Sequence, residues 1–375
     1  MSEKLRFAVV GAGGFARFAV AQFVKREGVQ LVGVVDHDEA AIQLVRDAYP
    51  DIKAFSTLDQ LLADASIGLV YIGSPPCLHY EQSLAALRAG KHVICEKPAA
   101  LKLEQARALT ALAEEKGLLF VVNLMQRYNF LYSAVKKLID SQVLGSFLHG
   151  FFENYASDEF LPADHWFWDE AKSGGIFIEH GVHFFDMFAG WFGEGQVVSA
   201  QKLNRPGSSA VWDIAQCTVI YKDNAPVHFY HAFNQPTILD RQEMRLQFER
   251  GDVTLFEWVP TRLVLNAVCT NEEVRELKRI FPNAAIECID FPSTVQMARG
   301  RFKPIQFHQK IRLDTGELQT KSQVYEGLVN QMFDDQLKWL ENGAWRRKID
   351  ATNAVDSVAV AERADQIALR ISSTF

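Results

Sequence analysis

A glycine loop set between two buried strands constrains this chain more than any other feature. Phe7-Ala8-Val9-Val10 is an apolar run that leads directly into Gly11-Ala12-Gly13-Gly14-Phe15-Ala16, after which the pattern turns helical through Ala19, Gln22 and Phe23. A G-x-G-x-x-A loop carries weight only in that strand-to-helix setting. Gly11 allows the tight turn, Gly13 lets backbone approach a pyrophosphate, and Ala16 lets the helix pack closely on the strand. The helix N-terminus then faces the negative charge. Lys4 and Arg6 ahead of an apolar run would also suit a secretory signal, but Arg17 interrupts that run. The next segment decides between the two, because Val29–Val35 is a second strand ending in Asp36, twenty residues beyond Ala16. A dinucleotide fold keeps there the carboxylate that accepts from the adenosine ribose hydroxyls. Neither His37 nor Asp38 offers a permanent cation for a 2′-phosphate, so NAD is expected in preference to NADP.

From Met1 to about Val122 strands and helices alternate, which predicts a doubly wound parallel sheet. Helices are expected over Glu39–Ala48, Leu58–Ala63, Tyr80–Ala89 and Leu103–Lys116, with strands at Gly68–Ile72, His92–Glu96 and Leu118–Val122. Ligands of such sheets bind at the carboxyl ends of the strands. Two motifs fall there, Gly73-Ser74-Pro75-Pro76 and Glu96-Lys97-Pro98. Pro98 disfavours helical dihedrals at Lys97, so the ammonium leaves the strand end near where a nicotinamide would lie and could polarise a carbonyl. By residue type alone a solvated loop lysine is the alternative.

Beyond Tyr128 the pattern changes to strand-like runs at Phe147–Tyr155, Gln196–Lys202, Asp213–Tyr221, Val227–Phe233, Glu243–Phe248 and Arg262–Val268. A second domain of α+β type with a mostly antiparallel sheet is expected, the division being 1–125 and 126–375. At 375 residues, 48% hydrophobic and 23% charged, the chain suits two globular domains. The net charge of −7 without a basic stripe argues against nucleic acid or an anionic membrane as partner. Ile176–Phe192, the most apolar stretch, contains Glu179, His180, His183 and Asp186 and is no membrane span. Five scattered cysteines without C-x-x-C spacing indicate neither a disulfide framework nor a thiolate metal site, so the cytoplasm is the expected location.

One strongly apolar helix is expected from Ser173 to Asp186. At 100° per residue Glu179, His183 and Asp186 fall at i, i+4 and i+7 on one side, opposite Phe177, Phe184, Phe188 and Trp191. Buried acids and imidazoles need partners. A structural network, a metal site and an acid–base site are the three readings, and H-E-x-x-H is absent. Glu179, one helical turn away, is expected to raise the His183 pKa.

The glycine loop, Asp36, Ser74-Pro75-Pro76, Glu96-Lys97-Pro98, Arg127-Tyr128, and Gly174-Gly175 leading to Gly181-Val182-His183 and Asp186 together resemble the glucose-fructose oxidoreductase, inositol dehydrogenase and MocA family, over essentially the whole chain. The resemblance implies a Rossmann domain followed by an open-faced sheet that commonly mediates homodimers or homotetramers. It also implies a nicotinamide-dependent oxidoreductase acting on a sugar, cyclitol or related polyol. Cofactor contacts would come from Gly11, Gly13, Gly14, Phe15, Ala16, Asp36, Ser74, Pro75, His79, Glu96 and Lys97. Lys97 would hold the reacting oxygen and His183 act as acid–base, with Glu179 as the third catalytic group and Arg127 and Trp166 completing the substrate contacts; no metal is implied. The family usually has Asp where this chain has Glu179. Trp166-Phe167-Trp168-Asp169 resembles an aromatic segment at the mouth of the site, while His165 and Tyr155 are weaker candidates. Residues 270–307 fit the pattern poorly and are read as an insertion, a lid or an oligomer contact. The helices Val324–Leu340 and Asn353–Arg370 are expected at the domain junction. A dinucleotide-binding regulator and an NAD-dependent glycosidase are the alternatives, and Lys97 and His183 together favour catalysis.

Overall fold

Six short runs, most of them buried, pair in parallel as the first sheet: β1 (Leu5–Val10), β2 (Val29–Val35), β3 (Lys53–Ala54), β4 (Leu69–Ile72), β5 (His92–Cys95) and β6 (Phe120–Val122). The computed structural model describes residues 4–208, 210–221, 224–290, 295–300, 304–317 and 319–372. The strand order β3-β2-β1-β4-β5-β6 reverses between β1 and β4, which is where such sheets hold ligands. Helices α1 (Gly14–Phe23), α2 (Glu39–Ala48), α3 (Leu58–Leu62), α4 (Pro76–Arg88) and α5 (Leu103–Lys116) follow the first five strands in turn. Their ends have local causes. The Asp38 side chain accepts from Ala40 N to start α2, and Gly117 takes a left-handed φ of 63° to stop α5. Pro76 opens α4 four residues earlier than its apolar pattern suggests, because proline's fixed φ suits a first helical position. That earlier start puts His79 in the first turn.

The chain forms two compact units. One comprises the chain through Met125 with Ala163–Asp186 and Glu326–Gln366; the other comprises Gln126–Pro162, Met187–Tyr325 and the chain from Ile367. In the first unit Phe23 stacks on Phe333 at 4.1 Å and meets Tyr71 edge-on at 5.1 Å, all three fully buried. Each ring removed from water contributes roughly 2–3 kcal/mol. Arg26 forms an ion pair with Asp334 beside them.

The second unit holds a sheet of ten strands. Its members, with one separate hairpin, are β7 (Phe147–Ala156), β8 (Gln196–Asn204), β9 (Trp212–Tyr221), β10 (Ala225–Phe233), β11 (Arg241–Phe248), β12 (Gly251–Phe256), β13 (Arg262–Cys269), β14 (Ala285–Asp290), the hairpin strands β15 (Gln296–Arg299) and β16 (Pro304–Phe307), β17 (Gln309–Asp314) and β18 (Leu369–Ile371). The order is β14-β17-β13-β12-β11-β7-β10-β9-β8-β18, antiparallel except where β7 meets β10 and β8 meets β18. The expected mostly antiparallel sheet is therefore present. Along β7 the residues Gly150, Phe152, Asn154 and Ala156 are buried while Phe151, Glu153 and Tyr155 are half-exposed, the alternation of a sheet covered on one face.

The α-helices beyond the first sheet are α6 (Phe130–Ser141), α7 (Glu170–Ser173), α8 (Val182–Phe192), α9 (Asn271–Ile280), α10 (Lys321–Glu341) and α11 (Ala351–Ile367). Two differ from expectation. The chain leaves α11 at Ile367, and residues 369–371 pair with β8 instead of prolonging the helix. The helix expected from Ser173 is interrupted: α7 ends there, Gly174 and Gly175 both take φ of 79°, and a π turn at Phe177–Gly181 precedes α8. Within 270–307, α9 is started by a Thr270/Glu273 capping box, β14 forms the sheet's edge, and 291–294 and 301–303 lie outside the described residues.

Candidate functional site

The glycine loop is built for an anion. Gly11, at φ 85°, brings its backbone so close to Ser74 that a Cβ would stand 2.6 Å from the Ser74 nitrogen, and a Cβ on Gly73 would stand 2.8 Å from that of Ala16. Larger residues would push apart the two strand ends at the switch point. Gly13 caps α1 without a side-chain acceptor, and a Cβ there would meet nothing within 4 Å. The first N–H groups of α1 thus face an open cradle of the kind that takes a pyrophosphate. Phe15, beside the cradle, packs on Phe18 at 5.7 Å. Asp36 Oδ2 accepts from Ala12 N at 2.6 Å and Oδ1 from Asp38 N at 2.9 Å, which aims the carboxylate while leaving lone pairs for ribose hydroxyls. These residues fit a dinucleotide.

At the ends of β4 and β5 the chain is held from below by a buried carboxyl. Glu96 Oε1 accepts from Tyr71 Oη at 2.6 Å and from Asn123 Nδ2 at 2.9 Å. Burial pushes this group up to about 7, against the pull of those donors and of Lys97. Ser74 Oγ donates to Gln82 Oε1 at 2.5 Å, and Pro75 caps α4. His79 lies with Nδ1 2.7 Å from Pro98 O and Nε2 2.7 Å from Ser74 O. The Lys97–Pro98 peptide is cis.

Lys97 Nζ donates to the Glu179 backbone carbonyl at 2.8 Å and forms an ion pair with the carboxylate of the same residue. The π turn explains the first bond, since a residue inserted into a helix disturbs the backbone ladder and frees a carbonyl for a side-chain donor. Here the expectation for Glu179 and His183 is corrected. The wider π turn breaks the α spacing that would stack them, and Glu179 goes to Lys97. Burial first, and the Lys97 ammonium second, push the His183 imidazole down to about 3. Asp186 is buried too and accepts from Asn353 Nδ2 of α11 at 3.0 Å.

Lys97, Glu179 and His183 therefore gather at the carboxyl end of the first sheet, with Glu96 and His79 beneath them. Trp166 belongs to the same unit, where it lies half-buried between His165, at 5.3 Å, and Phe167. Arg127 falls in the second unit, in a 3-10 turn at Met125–Tyr128, where a Cβ on Gly190 would stand 2.9 Å from its guanidinium carbon. Sequence reasoning missed Tyr71, Asn123 and Asn353; the one available signal was a phenol in an otherwise apolar buried strand, which needs a partner. Among the described residues no group of three or more His, Cys, Asp or Glu could hold a metal, and no helix is long and apolar enough to cross a membrane. All five cysteines are free.

Comparison with known proteins identifies the family and the fold. Residues 5–124 match the model of an oxidoreductase family with an NAD-binding Rossmann fold, and 132–254 match the GFO/IDH/MocA C-terminal domain. An uncharacterised oxidoreductase of Schizosaccharomyces pombe is 38% identical over 158 residues, 42% of each chain. Glucose-6-phosphate 3-dehydrogenase of Bacillus subtilis is 31% identical over 48% of this chain and 52% of its own. The chain thus spans about half the length of the curated relatives it matches. The WlbA dehydrogenase of Bordetella pertussis, solved with NADH and UDP-GlcNAcA, has a similar fold, with a TM-score of 0.74 at 18% identity over 98% of this chain and 96% of that one. With a parallel nucleotide-binding sheet, a large mixed sheet and both family models matched, the chain belongs to the GFO/IDH/MocA family of oxidoreductases.

Proposed function

We propose that this chain is an NAD-dependent dehydrogenase that moves a hydride between the nicotinamide and the carbinol carbon of a sugar, cyclitol or related polyol. The observation that carries the reading is the meeting of Lys97 with Glu179, beside an uncharged His183, at the end of a nucleotide-binding sheet. An ammonium has three donors. Two of those of Lys97 go to Glu179, which fixes the direction of the third toward a single substrate oxygen. That oxygen gains acidity from the adjacent cation, and the negative charge it develops offsets the Lys97 field at the uncharged His183, raising the basicity with which the imidazole accepts the proton. A bound nicotinamide would supply the hydride acceptor, and the products would be a ketone, the reduced cofactor and one proton.

Asp36 supports NAD over NADP, since its carboxylate, held by Ala12 N and Asp38 N and with His37 Nδ1 2.9 Å from Oδ1, would repel a 2′-phosphate. A sugar or polyol substrate is supported by the sugar-phosphate dehydrogenase among the relatives. The test is NADH formation with a panel of sugars, inositols and sugar acids. One or more should be oxidised with NAD. A panel without turnover in either direction, from protein shown to bind NADH, would contradict the reading.

A further inference from the structure

His79 has an unusual pair of neighbours. Its ring is 1% exposed, and each nitrogen lies 2.7 Å from a backbone carbonyl oxygen, Nδ1 from Pro98 and Nε2 from Ser74. A carbonyl can only accept, so each contact is favourable only if that ring nitrogen carries a hydrogen. The two carbonyls belong to different loops. Ser74 follows β4 on the nucleotide side, and Pro98 follows Lys97 at the end of β5. Glu96, on the other side of Lys97, is tied to Tyr71 and Asn123. Lys97 is thus anchored through the residue before it and the residue after it, and the second anchor reaches the loop after β4.

We propose that His79 is a positioning residue which, donating from both ring nitrogens, fixes Lys97 relative to the Ser74–Pro76 loop. The proposal rests on Lys97 acting on the substrate oxygen. Both polar atoms of the ring are committed to backbone, so His79 works through the two loops. Burial, and after it the Lys97 ammonium, push the imidazole below its usual range, while the two carbonyls and the Glu179 carboxylate act the other way. The geometry decides for the doubly protonated ring. With one proton missing, two lone pairs would face each other at 2.7 Å with the whole residue buried from water, a cost that a second donated bond removes.

The test begins with wild-type protein labelled with 15N-histidine, with NADH bound and near neutral pH, the His79 signals being assigned by their loss in His79→Gln. Two protonated ring nitrogens are expected; one bare nitrogen would overturn the proposal whether or not any variant folds. The second arm compares turnover with NADH affinity in His79→Phe, which keeps bulk and loses both donors, and in His79→Gln, which keeps an N–H donor. Turnover should fall by roughly tenfold or more in the Phe variant and less in the Gln variant, with NADH affinity within about threefold of wild type. Unchanged turnover, or a loss matched by weakened NADH binding, would contradict the positioning role. Should Lys97→Met keep full turnover, the catalytic reading fails by itself, and the ring's protonation still reports on the bridge.

Discussion

At the scale of single residues, the site turns on which charges share the space around Lys97. Because the Lys97 ammonium lowers the His183 pKa, Lys97→Met should raise it from about 3 toward, though not to, its ordinary 6.5, burial being the larger cause. NMR titration of the imidazole measures this, and a pKa unmoved by the substitution would remove the two side chains from each other's field. Glu96 gives a second handle. Its carboxyl is raised from 4.5 to about 7, so the folded state binds the proton more tightly than the unfolded chain does. The stabilisation from that proton is complete below about pH 4.5 and is lost as pH rises through about 7. Glu96→Gln keeps an acceptor for Tyr71 and Asn123 without the charge. Relative to wild type it should gain on the order of 3 kcal/mol between the acid and alkaline ends of that window, read by denaturant unfolding at several pH values. A difference independent of pH would mean that Glu96 does not titrate there. Lys97 was legible as a candidate because motif and strand end coincided, and Glu179 and His183 because polar side chains at helical spacing interrupt the most apolar stretch of the chain. Their pairing was not, since Glu179 meets Lys97 across 82 positions of sequence.

Among the elements, those of the nucleotide-binding sheet were the most legible. The limits of α2 and α5 follow from Asp38, Gly117 and the apolar spacing between, all local signals. By contrast β17 pairs with β13 and β14 across intervening elements, and β18 is a three-residue strand that pairs with β8 at the end of a helical pattern. Local pattern cannot select such pairings. The π turn escaped for another reason: apolar residues within and beyond it, Phe177 and Ile178 in the turn and Val182, Phe184 and Phe185 after it, keep the hydrophobic pattern continuous whether or not a residue is inserted. Gly174 and Gly175 were its visible trace. Gly174→Ala would force a Cβ to 2.6 Å from the Ile178 side chain at a φ of 79°. It should cost about 2 kcal/mol or more of stability and disturb the Lys97–Glu179 contact. Thermal unfolding checks this, and an unchanged midpoint would show that the turn tolerates a side chain.

For the whole molecule, returning segments tie distant sequence into one unit, since Ala163–Asp186 and Glu326–Gln366 join the nucleotide-binding sheet. His183 and Glu179 reach Lys97 by that route, a rearrangement that no linear reading of domains contains. The half-exposed face of the second sheet, with Arg241 over Tyr155 at 4.7 Å and Arg245 over Phe151 at 5.4 Å, is the surface we expect a second copy to cover. Light scattering should give a dimer or tetramer, and Phe151→Glu should lower that mass; a wild-type monomer would contradict the expectation. In the proposed function everything depends on Lys97 acting on the reacting oxygen of a substrate oxidised by NAD. The most direct test of that role is a paired measurement on Lys97→Met, NADH affinity by tryptophan fluorescence and turnover on the substrate found by screening. Affinity within a few fold of wild type with turnover lower by roughly a hundredfold or more is the predicted result. Turnover close to wild type would contradict it.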